Sequence, residues 1–120
     1  MKIVFHFDGR PALRAQPASM GVKLCPESDE AAFARLLPGV EVLWHILKPL
    51  TAGLIARAPK LRLAHKIGSG VNGIDLEACK RRGIAVCNLP GSNSRAVAEG
   101  LALENARRLE RGEALANRVA

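Results

Sequence analysis

Hydrophobic residues along the chain form short, nearly continuous runs that are separated by polar stretches. The runs contain Val, Ile, Leu and Phe and are bounded by Gly, Pro, Asp or Ser, which is typical of buried strands. They predict five strands, at Lys2 to Phe7, Val22 to Cys25, Val40 to Ile46, Leu61 to Ile67 and Ile84 to Cys87. Runs without a polar alternation indicate strands that are covered on both faces, as in a parallel sheet.

The polar stretches between the strands carry helix signals. Three of them begin at a capping residue and end at Pro or Gly, and so predict helices at Asp29 to Leu37, Thr51 to Ala58 and Asp75 to Arg82. A last helix is predicted from Ser92 or Ser94 to Arg111, with Gly112 as its C-cap. Its apolar stripe continues on both sides of Gly100, so we expect no break there.

Strands that alternate with helices predict an α/β fold. The expected form is a single domain, residues 1–120, with a flavodoxin-like, doubly wound, five-stranded parallel sheet in the order 2-1-3-4-5. The segment Asp8 to Gly21 contains Pro11 and Pro17 and is the poorest helix candidate. Ligands of such sheets bind beyond the carboxyl ends of the strands. The loops at that edge are Phe7 to Arg10, His45 to Leu50, Ile67 to Asp75 and Asn88 to Ser94.

One of these loops has the glycine spacing G-x-G-x-x-G, at Gly68, Gly70 and Gly73. A dinucleotide site places the third glycine in the first turn of the next helix and an acidic residue about 20 positions further on. Here Asp75 is the natural N-cap, so all three glycines precede the helix. The next strand ends in Asn88, and no Asp or Glu follows that strand until Glu99. We therefore expect no bound NAD. Glycines that serve only a tight turn are the alternative interpretation of the loop.

Composition narrows the function classes. The 120 residues are 48% hydrophobic, without a membrane-length apolar run, and the start MKIVFHFDG lacks signal-peptide features, so we expect a cytoplasmic globular protein. The three cysteines, at positions 25, 79 and 87, include no C-x-x-C pair, which argues against disulfides and zinc. Metal ligands and a catalytic role for any histidine are not indicated.

The net charge of +7 permits an anionic partner. The basic residues are scattered, however, and stacking aromatics are not interleaved with them. We expect a solvated basic surface, no nucleic-acid partner and no membrane partner. We also expect a monomer or weak self-association, because any exposed apolar rim favours contact between copies.

The segment from Leu47 to Glu99 contains GSGVNGID, then GIAVCNLP, then NSRAVAE. It resembles the substrate-binding domain of the NAD-dependent D-2-hydroxyacid dehydrogenases, which include phosphoglycerate, glycerate and formate dehydrogenases. The resemblance implies that the glycine loop offers backbone N–H groups to a substrate carboxylate. It implies further that the substrate contacts are Ser69, Gly70, Val71, Asn93, His45 and Lys48.

The resemblance also implies a missing part. Relatives continue from V-A-E into a nucleotide-binding domain that supplies the NAD site and the catalytic Arg, Glu and His. Here Ala102 to Ala120 resembles the C-terminal end of the family, so segments of about 1–99 and 102–120 are expected to be joined directly, by an engineer or by nature. We expect no catalytic residues in this chain and weak binding of a small 2-hydroxy or 2-oxo acid. The alternatives are an enzyme completed by another chain and a scaffold or interaction module without a ligand. Asn93 is equally well interpreted as a turn residue that caps the last helix.

Overall fold

The computed structural model describes residues 2–7, 22–46, 49–68, 70–71, 73–89 and 94–120. Its strands are β1 (Ile3–His6), β2 (Val22–Cys25), β3 (Val42–His45), β4 (Leu63–Lys66) and β5 (Ala85–Cys87). Its helices are α1 (Glu30–Leu36), α2 (Ala52–Ala56), α3 (Leu76–Arg82) and α4 (Arg95–Arg111), and a 3₁₀ turn at Leu37–Gly39 follows α1. The predicted segment Asp8 to Gly21 lies outside the described residues.

All five strands are parallel and stand in the order β2-β1-β3-β4-β5. The predicted α/β class and strand order are therefore confirmed. β3 and β4 are shorter than predicted because the residues before them bond back to the preceding turns. The Val40 amide donates to Leu37 O at 3.3 Å and the Leu61 amide donates to Ala58 O at 3.1 Å.

Local capping explains where the helices begin. Asp29, Thr51, Asp75 and Ser94 each accept the amide three residues on with their side-chain oxygen, which occupies one of the free N–H groups of the first turn. α4 runs unbroken through Gly100 and is capped by Gly112, whose φ of 73° lies in the left-handed region. The predictions for Asp75 and Gly112 and for an unbroken last helix are confirmed.

The sheet separates two hydrophobic clusters. On one face Val4, Leu43, Ala64 and Val86 pack against α1, α2 and α3 through Phe33, Ile55, Ala78 and Cys79. We call this the α1–α3 face. On the other face Ile3, Phe5, Val42, Trp44 and Leu63 pack against Ala98, Ala102, Leu103 and Ala106 of α4. We call this the α4 face. The three cysteines are free and buried.

The chain after α4 returns to the sheet. The Val86 amide donates to Ala120 O at 3.0 Å, and the Asn88 amide donates to Asn117 O at 3.2 Å. Cys87 and Arg118 form an antiparallel bridge. We call residues 113–120 the tail. It covers the outer edge of β5 and so pairs backbone groups that an edge strand otherwise exposes.

Candidate functional site

The loop between β4 and α3 is held at its start by both neighbouring strands. The Ile67 amide donates to His45 O at 2.9 Å, and Gly68 O accepts the Leu89 amide at 2.8 Å. Gly68 has a φ of 147°, a conformation that L side chains rarely adopt, so glycine is required there. The loop therefore leaves β4 at a defined angle over the carboxyl edge of the sheet.

The end of the loop is also held by main-chain hydrogen bonds. The Leu50 amide donates to Gly73 O at 2.8 Å, and Leu50 O accepts the Asp75 amide at 2.9 Å, which makes a short parallel bridge between Leu50 and Ile74. The Asp75 carboxylate then accepts the Ala78 amide at 3.0 Å and starts α3. The main chain of the loop is thus anchored on both sides of its exposed middle.

The middle of the loop is open. A Cβ atom at Gly70 would have no neighbour within 4 Å, whereas one at Gly73 would lie 3.6 Å from Pro49 Cα. Gly70 is exposed and Val71 is half-buried against the hydrophobic cluster of the α1–α3 face. A backbone without a side chain beside open space allows an anion to approach its N–H groups.

The structure adds Lys66 to this site. Lys66 is the last residue of β4, its Nζ donates to Ile46 O, and its Cε lies 3.9 Å from the Cβ position of Gly68. Partial burial lowers the pKa of Lys66, and the carboxylate of Glu27 opposes that shift. In the sequence, Lys66 stands two positions before the first glycine of the loop, and this position could have indicated its role. It was not predicted, because basic residues are scattered along the whole chain.

Strand register brings further polar side chains to the same level. His6 pairs with His45 across β1 and β3, and His45 pairs with Lys66 across β3 and β4. Side chains at paired positions point to the same face, so the three residues form a row on the α1–α3 face at the carboxyl edge. His6 stacks on Phe33 with ring centroids 3.7 Å apart, and both imidazoles are buried.

A cleft of about 360 Å³ adjoins this row between α1 and α2. His6 and the buried Glu27 line its inner wall, Arg57 lines the outer part, and Pro49 connects it to the glycine loop. The cleft therefore presents both acidic and basic groups beside the loop.

The predicted contacts divide into two groups. The structure places His45, Gly70 and Val71 at one edge of the sheet, with His45 buried beneath the loop and Gly70 on its surface. The other three predicted contacts, Ser69, Lys48 and Asn93, lie outside the described residues.

The loop residues do not fit the fingerprint of a dinucleotide site. α3 begins at Leu76, so Gly73 lies outside the helix, and β5 is followed by Asn88 and Leu89 without a carboxylate for a ribose. Among the described residues, no group of three His, Cys, Asp or Glu side chains is placed to hold a metal ion. No helix in the described ranges has the length and apolar character needed to cross a bilayer.

Comparison with known families agrees with this geometry. Residues 4–120 match the model of the D-isomer specific 2-hydroxyacid dehydrogenase family, catalytic domain. The chain belongs to this family. A hydroxypyruvate reductase from Thermotoga maritima is 35% identical over 89 residues, which is 71% of this chain and 28% of the relative. Human D-3-phosphoglycerate dehydrogenase is 46% identical over 50 residues, 42% of this chain and 9% of the relative.

A solved member shares the fold over nearly the whole chain. The NAD-dependent formate dehydrogenase from Staphylococcus aureus, in complex with NAD, aligns with a TM-score of 0.63 and 25% identity, over 95% of this chain and 43% of its own. The D-2-hydroxyacid dehydrogenase domain described here thus spans less than a third of the curated relatives named above.

Proposed function

We propose that this chain is the substrate-binding domain of a D-2-hydroxyacid dehydrogenase and that its glycine loop receives the carboxylate of a small 2-hydroxy or 2-oxo acid. The observation that carries the proposal is the open main chain at Gly70, held beyond the strand ends, with Lys66 beside Gly68 at the start of the same loop. Backbone N–H groups and a nearby ammonium both attract an anion. Ser69, Val71, Asn93, Lys48 and His45 are the further contacts in this proposal.

We also propose that the chain does not transfer hydride alone. Relatives include a formate dehydrogenase whose structure contains NAD, and hydride transfer needs such a cofactor held against the substrate beside an acid–base group. The glycines of this loop precede α3 and no acid follows β5, which argues against NAD at this loop, so no step of the chemistry is assigned to residues of this chain. The free thiols agree with a reducing compartment, and we place the protein in the cytoplasm.

The decisive experiment adds one methyl group at two positions of the same loop. Neither Gly70 nor Gly73 has a positive φ, so alanine is tolerated at both. Amide chemical shifts are followed while D-lactate, pyruvate or glyoxylate is titrated into the wild type, Gly70→Ala and Gly73→Ala. We expect Gly70 and Val71 to respond with a millimolar dissociation constant, about 4 kcal/mol of binding free energy. The substitution at Gly70 weakens binding, whereas the one at Gly73 does not.

The contribution of the Lys66 ammonium to acid binding is tested with Lys66→Gln. The control is Lys80→Gln, which removes the same charge at an exposed position of α3. Equal affinities for these two variants would remove Lys66 from the site. Loop amides that ignore every acid would leave a scaffold or interaction module without a ligand. Turnover of NADH above the no-protein control, or calorimetric NADH binding tighter than about 1 mM, would refute the claim of inactivity.

A further inference from the structure

A second cleft lies at the amino edge of the sheet, on the side opposite the glycine loop. Its volume is about 330 Å³, and three cations line it: Lys2, Lys23 and Arg35. Val4, Leu36 and Val40 form its apolar wall. A cleft of this size accommodates a small organic molecule.

The three cations reach the cleft from three different elements. Lys23 lies on β2 directly beside Val4 of β1, and Lys2 precedes Val4 by two positions, so both side chains are on the α1–α3 face. Arg35 lies in the last turn of α1, which packs on that face. Lys2 Nζ is 3.1 Å from the Cβ position of Gly39, so the Lys2 side chain lies across the 3₁₀ turn.

The nearby carboxylates accept hydrogen bonds from main-chain amides. Glu41 accepts the main-chain amide of Lys2 at 3.1 Å, and Asp29 accepts the amide of Ala32 at 3.0 Å. The ion pairs Arg95–Glu99, Arg108–Glu104 and Arg111–Glu113 all lie on or just after α4, away from this cleft. Among the described residues, Lys2, Lys23 and Arg35 form no ion pair with an acid. Three like charges around one cleft repel each other, and a bound anion relieves that repulsion.

We propose that the cleft between β1, β2 and the end of α1 is a binding site for a small phosphate monoester, with Lys2, Lys23 and Arg35 around the phosphate and the apolar wall beneath its organic part. A phosphate monoester carries close to two negative charges above its second pKa of about 6, which suits three cations better than a single carboxylate does. Arginine adds fork-shaped donors that match phosphate oxygens. The site is separate from the glycine loop and does not depend on its function.

Titration of phenyl phosphate at pH 7.5, followed by amide chemical shifts, tests the proposal. We expect shifts at Val4, Lys23, Arg35 and Gly39 and none at Gly70 or Val71. Lys23→Gln and Arg35→Gln each weaken binding about 3- to 5-fold, as expected for a partly exposed ion pair, and the double variant weakens it about 10- to 20-fold. Lys80→Gln and Arg81→Gln remove the same charges from exposed positions of α3 and change the affinity less than about 1.5-fold.

Two comparisons separate a phosphate site from general attraction to a basic protein. Phenylsulfonate has the same ring and one negative charge, and it is expected to bind about 5-fold more weakly than phenyl phosphate. Equal binding of the two compounds would overturn the assignment to phosphate. Two outcomes would overturn the proposed binding site at this cleft. One is an equal loss of phenyl phosphate affinity in the α3 control variants, and the other is amide shifts confined to the glycine loop. If the Arg35→Gln variant does not fold, the test uses Lys23→Gln, which changes an exposed residue of the edge strand β2. Its affinity for phenyl phosphate is then compared with that of the Lys80→Gln control.

Discussion

Among the described residues, three short helices cover one face of the sheet and one long helix covers the other, and the polar groups buried on the two faces differ in position. On the α1–α3 face His6 and His45 lie at the strand ends, next to the glycine loop and the cleft. On the α4 face His65 lies within the sheet, fully buried beneath the helix. The same residue type therefore lines a candidate site on one face and belongs to the interior on the other.

The contacts of His65 explain why a polar residue is tolerated there. Its Nδ1 lies 3.1 Å from Lys66 O and its Nε2 lies 3.1 Å from Asn105 Nδ2. Asn105 Nδ2 also donates to Ala116 O, and its Oδ1 accepts the Ala116 amide, both at 2.9 Å. One amide side chain thus connects β4, α4 and the tail. A neutral imidazole that donates from Nδ1 and accepts at Nε2 satisfies this network. Position relative to the strand ends, more than residue type, separates the histidines of the candidate site from the structural one.

The largest effect on stability is expected from truncating a buried leucine side chain on either face of the sheet. Leu43→Ala on the α1–α3 face and Leu63→Ala on the α4 face each leave a cavity at a buried position and lower the free energy of unfolding by about 3 kcal/mol. Urea unfolding measures both. Leu24→Ala, at 39% exposure, is the control and costs less than about 1 kcal/mol. A loss on only one face would mean that the two faces do not unfold together.

The next effect is a dependence of stability on pH that comes from His65. Burial lowers its pKa from 6.5 to about 4, and its bond to the Lys66 carbonyl opposes the shift. Above pH 6.5 both the folded and the unfolded chain hold a neutral imidazole. Between pH 6.5 and about 4 the unfolded chain binds a proton that the folded chain excludes. The free energy of unfolding therefore falls by about 3 kcal/mol over that range and levels off below it.

Carboxylates also begin to titrate there, so the His65 contribution is the difference between the wild type and His65→Leu. Carbon-bound proton shifts of the ring report its pKa directly. A ring that titrates near 6.5 in the folded protein would contradict the neutral, buried network.

A smaller effect is expected from Asn105→Ala, which removes both hydrogen bonds to Ala116 and leaves Nε2 of His65 without its donor. We expect a loss of about 2 kcal/mol in the free energy of unfolding. Hydrogen exchange of the Val86 and Asn88 amides, which donate to the tail, should accelerate more than that of β1. Glu104→Ala on the same helix breaks a half-exposed ion pair and costs less than about 0.5 kcal/mol. Unchanged exchange at Val86 would show that the tail docks without Asn105.

The smallest effects compare helix caps on the two faces. Thr51→Ala removes the side-chain acceptor for the Leu54 amide of α2, and Ser94→Ala removes that for the Val97 amide of α4. Each should cost about 1 kcal/mol. Thermal unfolding measures both costs. Thr51→Ser is the control, because it keeps the capping oxygen and removes only the methyl group. A negligible cost at Ser94 alone would show that tertiary contacts of the long helix replace its cap.

The sequence by itself determined the elements of this protein and their order. Short apolar runs, capping residues such as Asp75 and the C-cap glycine act through neighbours within a few positions, and alternation of strands and helices allows few topologies. The same local logic placed the glycines before α3, at the carboxyl edge. The join of two family segments near Gly100 and the extent of the domain stay predictions.

Only the tertiary structure decided which distant residues meet. His65 and Asn105 are 40 positions apart, and Lys2, Lys23 and Arg35 come from separate elements. Strand register brings His6, His45 and Lys66 into one row, and the return of the tail to β5 depends on contacts with Asn105 and Val86. Such meetings depend on how strands align and how a helix lies on a sheet. A one-residue change of register would send each side chain to the other face without changing any local pattern in the sequence.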